Sequence, residues 1–167
     1  MGIDTTLYKV VLVAHILCAI VGFGAVTLNA LYGRESQRRP GPGGAAILEA
    51  NLFVSRIGEY FIYAVFLLGF ALVGLSDEVW KFQQTWVWLS IALYLVGLGI
   101  SHGVVFPAAK RLTALAGEAA ASPPTAGPPP QAAEMERNGK ILATWSPLLH
   151  LILVAILGLM VFKPGFP

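Results

Sequence analysis

The stretch SRIGEYFIYAVFLLGFALVGL, residues 55–75, places an arginine and a glutamate at the start of a long apolar run. Arg56 and Glu59 are three residues apart, so they lie on one face of a helix. The run that follows is nearly long enough to cross the hydrocarbon core of a bilayer, which needs about 20 residues. A carboxylate at that depth must be shielded, paired or protonated, and such a group is a candidate functional site. The stretch therefore predicts a membrane-spanning helix with Glu59 as its candidate functional residue.

The composition of the whole chain agrees with a membrane location. Of its 167 residues, 56% are hydrophobic and 12% are charged, and the mean hydropathy is +0.71. A soluble domain has about a quarter charged residues. The formal net charge is only +2, and the Lys and Arg residues form no basic stripe. We therefore expect the lipid bilayer, and no nucleic acid, as the partner of this chain.

Four apolar runs predict four membrane spans. Their approximate limits are residues 7–32, 47–75, 85–106 and 141–162. The first run follows MGIDTT, which has no basic residue, and it is longer than the apolar region of a signal peptide, so we interpret it as a retained helix. In the fourth, Pro147 predicts either a kink or a helix start capped by Ser146. The predicted fold is all-α, a single polytopic membrane domain over residues 1–167 with a four-helix up-down bundle.

Basic residues are distributed unequally between the two ends of this bundle. Seven lie at one end, in the segment GRESQRRPGPGG, residues 33–44, or in the third connection and its flanks. Three lie at the other end. The seven are Arg34, Arg38, Arg39, Lys110, Arg111, Arg137 and Lys140. By the positive-inside rule both basic connections are cytoplasmic. We therefore expect a multi-pass protein of a bacterial inner membrane with both termini outside.

The connections also differ in composition. The short one between the second and third spans, residues 76–84, and the start of the third span carry aromatic residues typical of an outer aromatic belt, Trp80, Phe82, Trp86 and Trp88. The third connection, about residues 112–138, contains the Pro- and Ala-rich tract AAASPPTAGPPPQAA, residues 119–133. Such a tract predicts a semi-rigid polyproline II spacer. The alternative is a docking strap for a partner protein.

Polar residues inside the spans fall on regular helical stripes. The first stripe is His15, Cys18, Gly22, Ala25 and Asn29, and the second is Ser90, Tyr94, Gly97 and Ser101, with His102 beside it. Small residues at this spacing allow close helix contact, and Ser, Asn and His can hydrogen-bond between helices. From the helical rise of about 1.5 Å per residue, Glu59, His102 and His150 share one depth, whereas His15 lies nearer the outside.

The three histidines, His15, His102 and His150, are candidate cofactor ligands. Two imidazoles at one depth could hold haem b, and two with Glu59 would suit a divalent metal. The alternative is that each is a hydrogen-bonded interior histidine. Arg56, Glu59 and Arg111 form a candidate polar intramembrane site, either as ion pairs or as a proton relay.

Enzymatic chemistry has little support in the sequence. Cys18 lies in an apolar run without a nearby cation, and no phosphate-binding, dinucleotide-binding or hydrolase motif is present. A non-enzymatic role is therefore slightly favoured.

The first span carries a resemblance. This span begins with LYKVVLVAHIL, residues 7–17, and continues with Gly22-Phe23-Gly24 and a basic turn. The pattern resembles that of small bacterial integral membrane proteins of unknown function related to the CopD copper-resistance and HemJ groups. This resemblance implies a helical membrane bundle and, through the HemJ group, haem b binding in which the first-helix histidine corresponds to His15. The lysine that the HemJ group places in its third helix has no counterpart in residues 85–106.

Three functions therefore stay open at this point. The first is a haem b-binding or redox-related membrane protein. The second is an accessory subunit of a larger membrane complex, with a membrane-protein partner or a second copy of the chain. The third is a small carrier that uses Glu59.

Overall fold

A computed structural model describes residues 2–122 and 129–165, and over these residues the chain is helical with no strand. The helices are α1 (Thr6–Arg38), α2 (Pro42–Leu75), α3 (Thr85–Ile100), α4 (Phe106–Ala121) and α5 (Ala132–Phe162), with a π-helical turn, Ser101–Val105, between α3 and α4. Helix α3, the π turn and α4 form one continuous helical rod. The described residues therefore contain four helical rods that are long and apolar enough to cross a membrane. The predicted all-α, four-span fold class is confirmed. Residues 123–128, the centre of the tract predicted as a polyproline spacer, lie outside the described residues.

The helices are longer than the predicted spans, mainly at the basic end of the bundle. The segment 33–44, predicted as a loop, is helical to Arg38 and becomes helical again at Pro42. The reversal occurs at Gly41, whose φ of +78° is one that glycine adopts without strain. Ion pairs one turn apart stabilise these charged extensions, as between Glu35 and Arg39 at 2.7 Å.

Pro147 lies inside the continuous helix α5, so the prediction that it begins a helix capped by Ser146 was wrong. The helix begins fifteen residues earlier, at Ala132. A proline is tolerated inside a membrane helix because neighbouring groups can satisfy the backbone carbonyl that it leaves without a donor.

Helices α1 and α2 form an antiparallel hairpin with backbones in close contact. A Cβ atom added to Gly58 would lie 2.6 Å from the Cβ of Ala25, and one added to Gly22 would lie 3.2 Å from the Ile62 nitrogen. Small residues at this contact are therefore required by the distance between the helices. We call this contact the α1–α2 seam. It confirms that the Gly22 and Ala25 positions of the predicted stripe face another helix.

The other side of α2 is packed differently. Among the described residues no Cα atom of α2 lies within 8 Å of one in α3 or in the π turn. Long side chains bridge the gap instead: Phe66 stacks on Tyr94 with ring centroids 4.3 Å apart, and the Tyr94 hydroxyl donates to the Ile62 carbonyl at 3.3 Å. We call this contact the α2–α3 junction. On its other side α3 packs on α5, where Gly97 faces Ile152.

A tryptophan cap closes the end of the bundle opposite the basic one. The Trp80 indole donates to the Tyr8 hydroxyl at 2.8 Å, and its ring meets that of Trp86 edge-on at 5.4 Å. The Lys163 ammonium lies 4.0 Å from the centre of the Trp80 ring. Trp86 is only 7% exposed, so its assignment to a lipid-facing aromatic belt was wrong. Its ring is covered because it fills the space between the α2–α3 connection and α5.

Candidate functional site

Three protonatable side chains meet across the α2–α3 junction. Glu59 and Tyr63 lie one turn apart on α2, and His102 lies in the π turn. The Tyr63 hydroxyl donates to Glu59 Oε1 at 2.5 Å and lies 2.6 Å from His102 Nε2. His102 Nε2 is also 2.5 Å from Glu59 Oε1. These three residues form the polar cluster. Glu59 was expected to lie within hydrogen-bond or ion-pair reach of Arg56, Arg111, His102 or His150, and the structure confirms this for His102.

The sequence around each residue explains why the side chains converge. Gly58 is directed toward α1, so the next residue, Glu59, projects from a different side of α2. Tyr63 follows four residues later and therefore lies above Glu59 on the same face. On the other rod, the π turn at Ser101–Val105 widens the helix locally where His102 projects. Such turns are rare and occur often at functional sites.

The orientation of His102 follows from its second ring nitrogen. Nδ1 lies 3.0 Å from the Leu98 carbonyl oxygen. A carbonyl oxygen only accepts hydrogen bonds, so Nδ1 carries a proton and donates it. Nε2 is therefore the nitrogen that faces Glu59 and Tyr63.

The mutual distances constrain the number of protons in the polar cluster. Oε1 of Glu59, the Tyr63 hydroxyl oxygen and Nε2 of His102 form a triangle with all sides between 2.5 and 2.6 Å. Contacts this short form when a hydrogen-bonding proton lies between the two atoms. The tyrosine hydroxyl supplies one proton, and a proton shared between Glu59 and His102 would supply a second. With these two protons the three groups together would carry no net charge.

The polar cluster is only partly covered by the protein. The side chains of Glu59 and His102 are 28% and 42% exposed. Two members of the cluster, Tyr63 and His102, line an open groove together with Leu95, Leu98 and Gly99. A polar group that faces hydrocarbon is costly, and the absence of net charge reduces that cost.

The structure separates the other residues of the candidate polar site from Glu59. Arg111 forms a two-pronged ion pair with Glu134 of α5, with N–O distances of 2.7 and 2.9 Å. Arg56 is exposed and makes no ion pair within residues 2–122 and 129–165. The side chain that faces Glu59 from another helix is thus the imidazole of His102. Sequence reasoning placed these two residues at one depth, and their contact confirms it.

The two remaining histidines have different surroundings. The His15 ring lies against Gly69 of α2, since a Cβ at Gly69 would be 3.4 Å from its Cε1 atom. Its buried Nδ1 has no hydrogen-bond partner among the described residues. His150 Nδ1 donates to the Ser146 carbonyl at 2.7 Å. Gly69 is ten residues from Glu59, or about 15 Å along α2, so His15 and the polar cluster are separate sites.

These positions bear on the expected haem and metal sites. Nε2 of His102, the nitrogen that would bind iron, faces Glu59 and Tyr63. A bis-histidine haem site with His150 would require this nitrogen to turn away from the polar cluster, and such a site stays a prediction. The described residues contain no group of three His, Cys, Asp or Glu side chains that could hold a metal ion.

Tyr63 and the π turn were missed by sequence reasoning. Tyr63 had a usable signal, because a tyrosine four residues after an intramembrane glutamate lies on its face and can donate to it. The π turn had none, since SHGVV, residues 101–105, contains no residue that distinguishes a π turn from an α-helix.

Comparison with known proteins supports the membrane assignment. Residues 9–164 match the model of a family described as "Predicted integral membrane protein (DUF2269)". No curated protein and no solved structure matches the chain. The chain belongs to this family of integral membrane proteins. The resemblance to the CopD and HemJ groups stays a prediction.

Proposed function

We propose that this integral membrane protein is a proton-exchange protein whose polar cluster takes up and releases a proton inside the bilayer. The observation that carries the proposal is the triangle of short contacts among Glu59, Tyr63 and His102. A carboxylate, an imidazole and a hydroxyl at mutual hydrogen-bond distance are groups used for general acid-base transfer. Intramembrane acidic and histidine side chains serve as proton relays in pumps and transporters.

Each residue has a separate role in this proposal. Glu59 and His102 share the proton, so the pair carries no net charge while the proton is held, and its release leaves the Glu59 carboxylate hydrogen-bonded by the Tyr63 hydroxyl. Tyr63 both donates and accepts, which allows it to exchange a proton with either partner. Leu98 fixes the His102 tautomer through its carbonyl, and it therefore acts as a positioning residue.

Protons reach the polar cluster from the basic end of the bundle. His102 precedes Lys110 by eight residues, or about 12 Å along the rod. From the seven-to-three distribution of basic residues we infer that this end is cytoplasmic, in a bacterial inner membrane, with both termini outside. A cysteine at Glu78 should then react with an impermeant reagent from outside, and labelling from the cytoplasmic side alone would reverse the orientation.

Infrared difference spectroscopy across a pH step tests the proposed function in lipid nanodiscs. The wild-type protein should show a carboxyl C=O band that disappears in Glu59→Gln. Tyr63→Phe removes a hydrogen bond to this carboxyl group and should shift the band. Tyr60→Phe is the matched control, because Tyr60 is 72% exposed and outside the polar cluster, and it should leave the band unchanged. A wild-type spectrum identical to that of Glu59→Gln would overturn the proposal.

Haem b binding and a role as an accessory subunit stay predictions. Each would be detected by a measurement different from the one that tests proton exchange. Haem would give a Soret band in protein purified from a haem-replete host, lost on replacing the ligand histidine. An accessory subunit would copurify with a membrane complex and would retain its role in Glu59→Gln.

A further inference from the structure

We infer that the groove beside the polar cluster binds the flat ring of a lipid-soluble quinone, held by a hydrogen bond to a quinone carbonyl oxygen. The inference concerns binding alone. It rests on the proposed function in one respect, since the exchangeable proton of the polar cluster is the donor in that bond.

The groove has two chemically distinct parts. Leu95 and Leu98 provide apolar walls, while Tyr63 and His102 form a polar end. Gly99 lies between these parts, is exposed, and has no atom within 4 Å of the position that its Cβ would occupy. The backbone is therefore open to a flat group at this point. An apolar cleft with a few convergent polar groups is the usual form of a small-molecule site.

The polar end favours a ring that carries an oxygen. The Tyr63 and His102 rings are stacked on each other at this end, with centroids 6.0 Å apart and planes inclined by 30°. A carbonyl oxygen can accept a hydrogen bond from the shared proton or from the tyrosine hydroxyl. A phospholipid would place its charged head group at the membrane surface, about 12 Å from His102 by helical rise. At membrane depth, a quinone carbonyl oxygen matches the polar end of the groove, and the apolar ring and tail match its apolar walls.

A second copy of the chain is the other occupant to consider. The exposed side chains beside the groove on α3 are Leu95 and Val96. A second copy that packed through these two side chains would provide apolar atoms and no acceptor for the polar cluster. The chemistry of the groove therefore favours a ligand that carries an oxygen.

Equilibrium binding of a radiolabelled short-chain benzoquinone to the full-length protein in nanodiscs tests the inference. Wild type should bind it saturably, and Gly99→Phe should weaken binding at least about tenfold because the phenyl ring fills the groove. Gly74→Phe is the matched control, since Gly74 is also an exposed helical glycine with nothing within 4 Å, and it should bind as wild type does. Tyr63→Phe should weaken binding about fivefold through the loss of one hydrogen bond.

Further measurements keep the outcomes distinct. Gly99→Phe should retain the wild-type Glu59 infrared band, so a failure of binding is separable from a failure of proton exchange. If Gly99→Phe does not fold, Leu95→Trp fills the same groove from an exposed position. The inference is overturned if wild type shows the Glu59 band but no saturable quinone binding. It is also overturned if wild type is a dimer without quinone affinity that Gly99→Phe converts to a monomer.

Discussion

Helix α2 packs closely against α1 on one side, whereas on the other side its backbone stays apart from α3. At the α1–α2 seam, Gly58 leaves no room for even one methyl group beside Ala25. At the α2–α3 junction the backbones stay apart, and the next residue in the chain, Glu59, reaches His102 across the gap. One peptide bond thus separates a close contact between two helix backbones from the polar cluster.

The difference shows how a small membrane bundle can be both stable and reactive. In lipid the hydrophobic effect does not bring helices together, so close backbone contact stabilises the bundle through van der Waals attraction. A junction made of long side chains leaves space for protons and ligands to enter. We therefore expect substitutions at the seam to change stability and substitutions at the junction to change protonation.

The largest expected effect is at the seam. Gly58→Ala should destabilise the protein by about 1–3 kcal/mol, because the new methyl group would overlap the Ala25 side chain and force the helices apart. Gly24→Ala is the matched control, since nothing lies within 4 Å of its Cβ position, and both changes gain the same helix propensity. Unfolding in mixed detergent and SDS measures the difference. Equal stability of the two variants would contradict a close-packed seam.

A smaller effect is expected at the tryptophan cap, which joins α1 to the connection between α2 and α3. Trp80→Phe keeps an aromatic ring but loses the hydrogen bond to the Tyr8 hydroxyl. The expected loss is about 1 kcal/mol, measured by the same unfolding assay. Trp88→Phe, at a position that is 50% exposed, should have little effect. Combining Trp80→Phe with Tyr8→Phe should cost less than the sum of the single changes, and strict additivity would argue against this bond.

Much of the fold could be predicted from the sequence because apolar length and small-residue spacing are local signals. The four runs gave the four spans, and the stripe through Gly22 and Ala25 gave a helix-facing surface. The charged ends were harder to predict. Their helical form depends on ion pairs such as Glu35 with Arg39, which extend a helix beyond its apolar part.

The candidate site was only partly predictable. Helical rise placed Glu59 and His102 at one depth, but rise gives no information about which faces of two helices meet. The sequence left Arg56, Arg111 and the histidines at the same depth as possible partners of Glu59, whereas the structure pairs Glu59 with His102, 43 positions away in the chain. The side of α2 that faces α3 is determined by the seam on its other side, which is a tertiary property.

Nitrogen-15 NMR of the His102 ring tests the shared proton most directly. In protein labelled at histidine and held in lipid, Nδ1 should be protonated, and Nε2 should resonate between the values of a protonated and an unprotonated nitrogen. Glu59→Gln should move Nε2 to the unprotonated value, while the His150 resonances stay in place as an internal reference. An Nε2 resonance that is unprotonated in wild type and unchanged in Glu59→Gln would contradict the account.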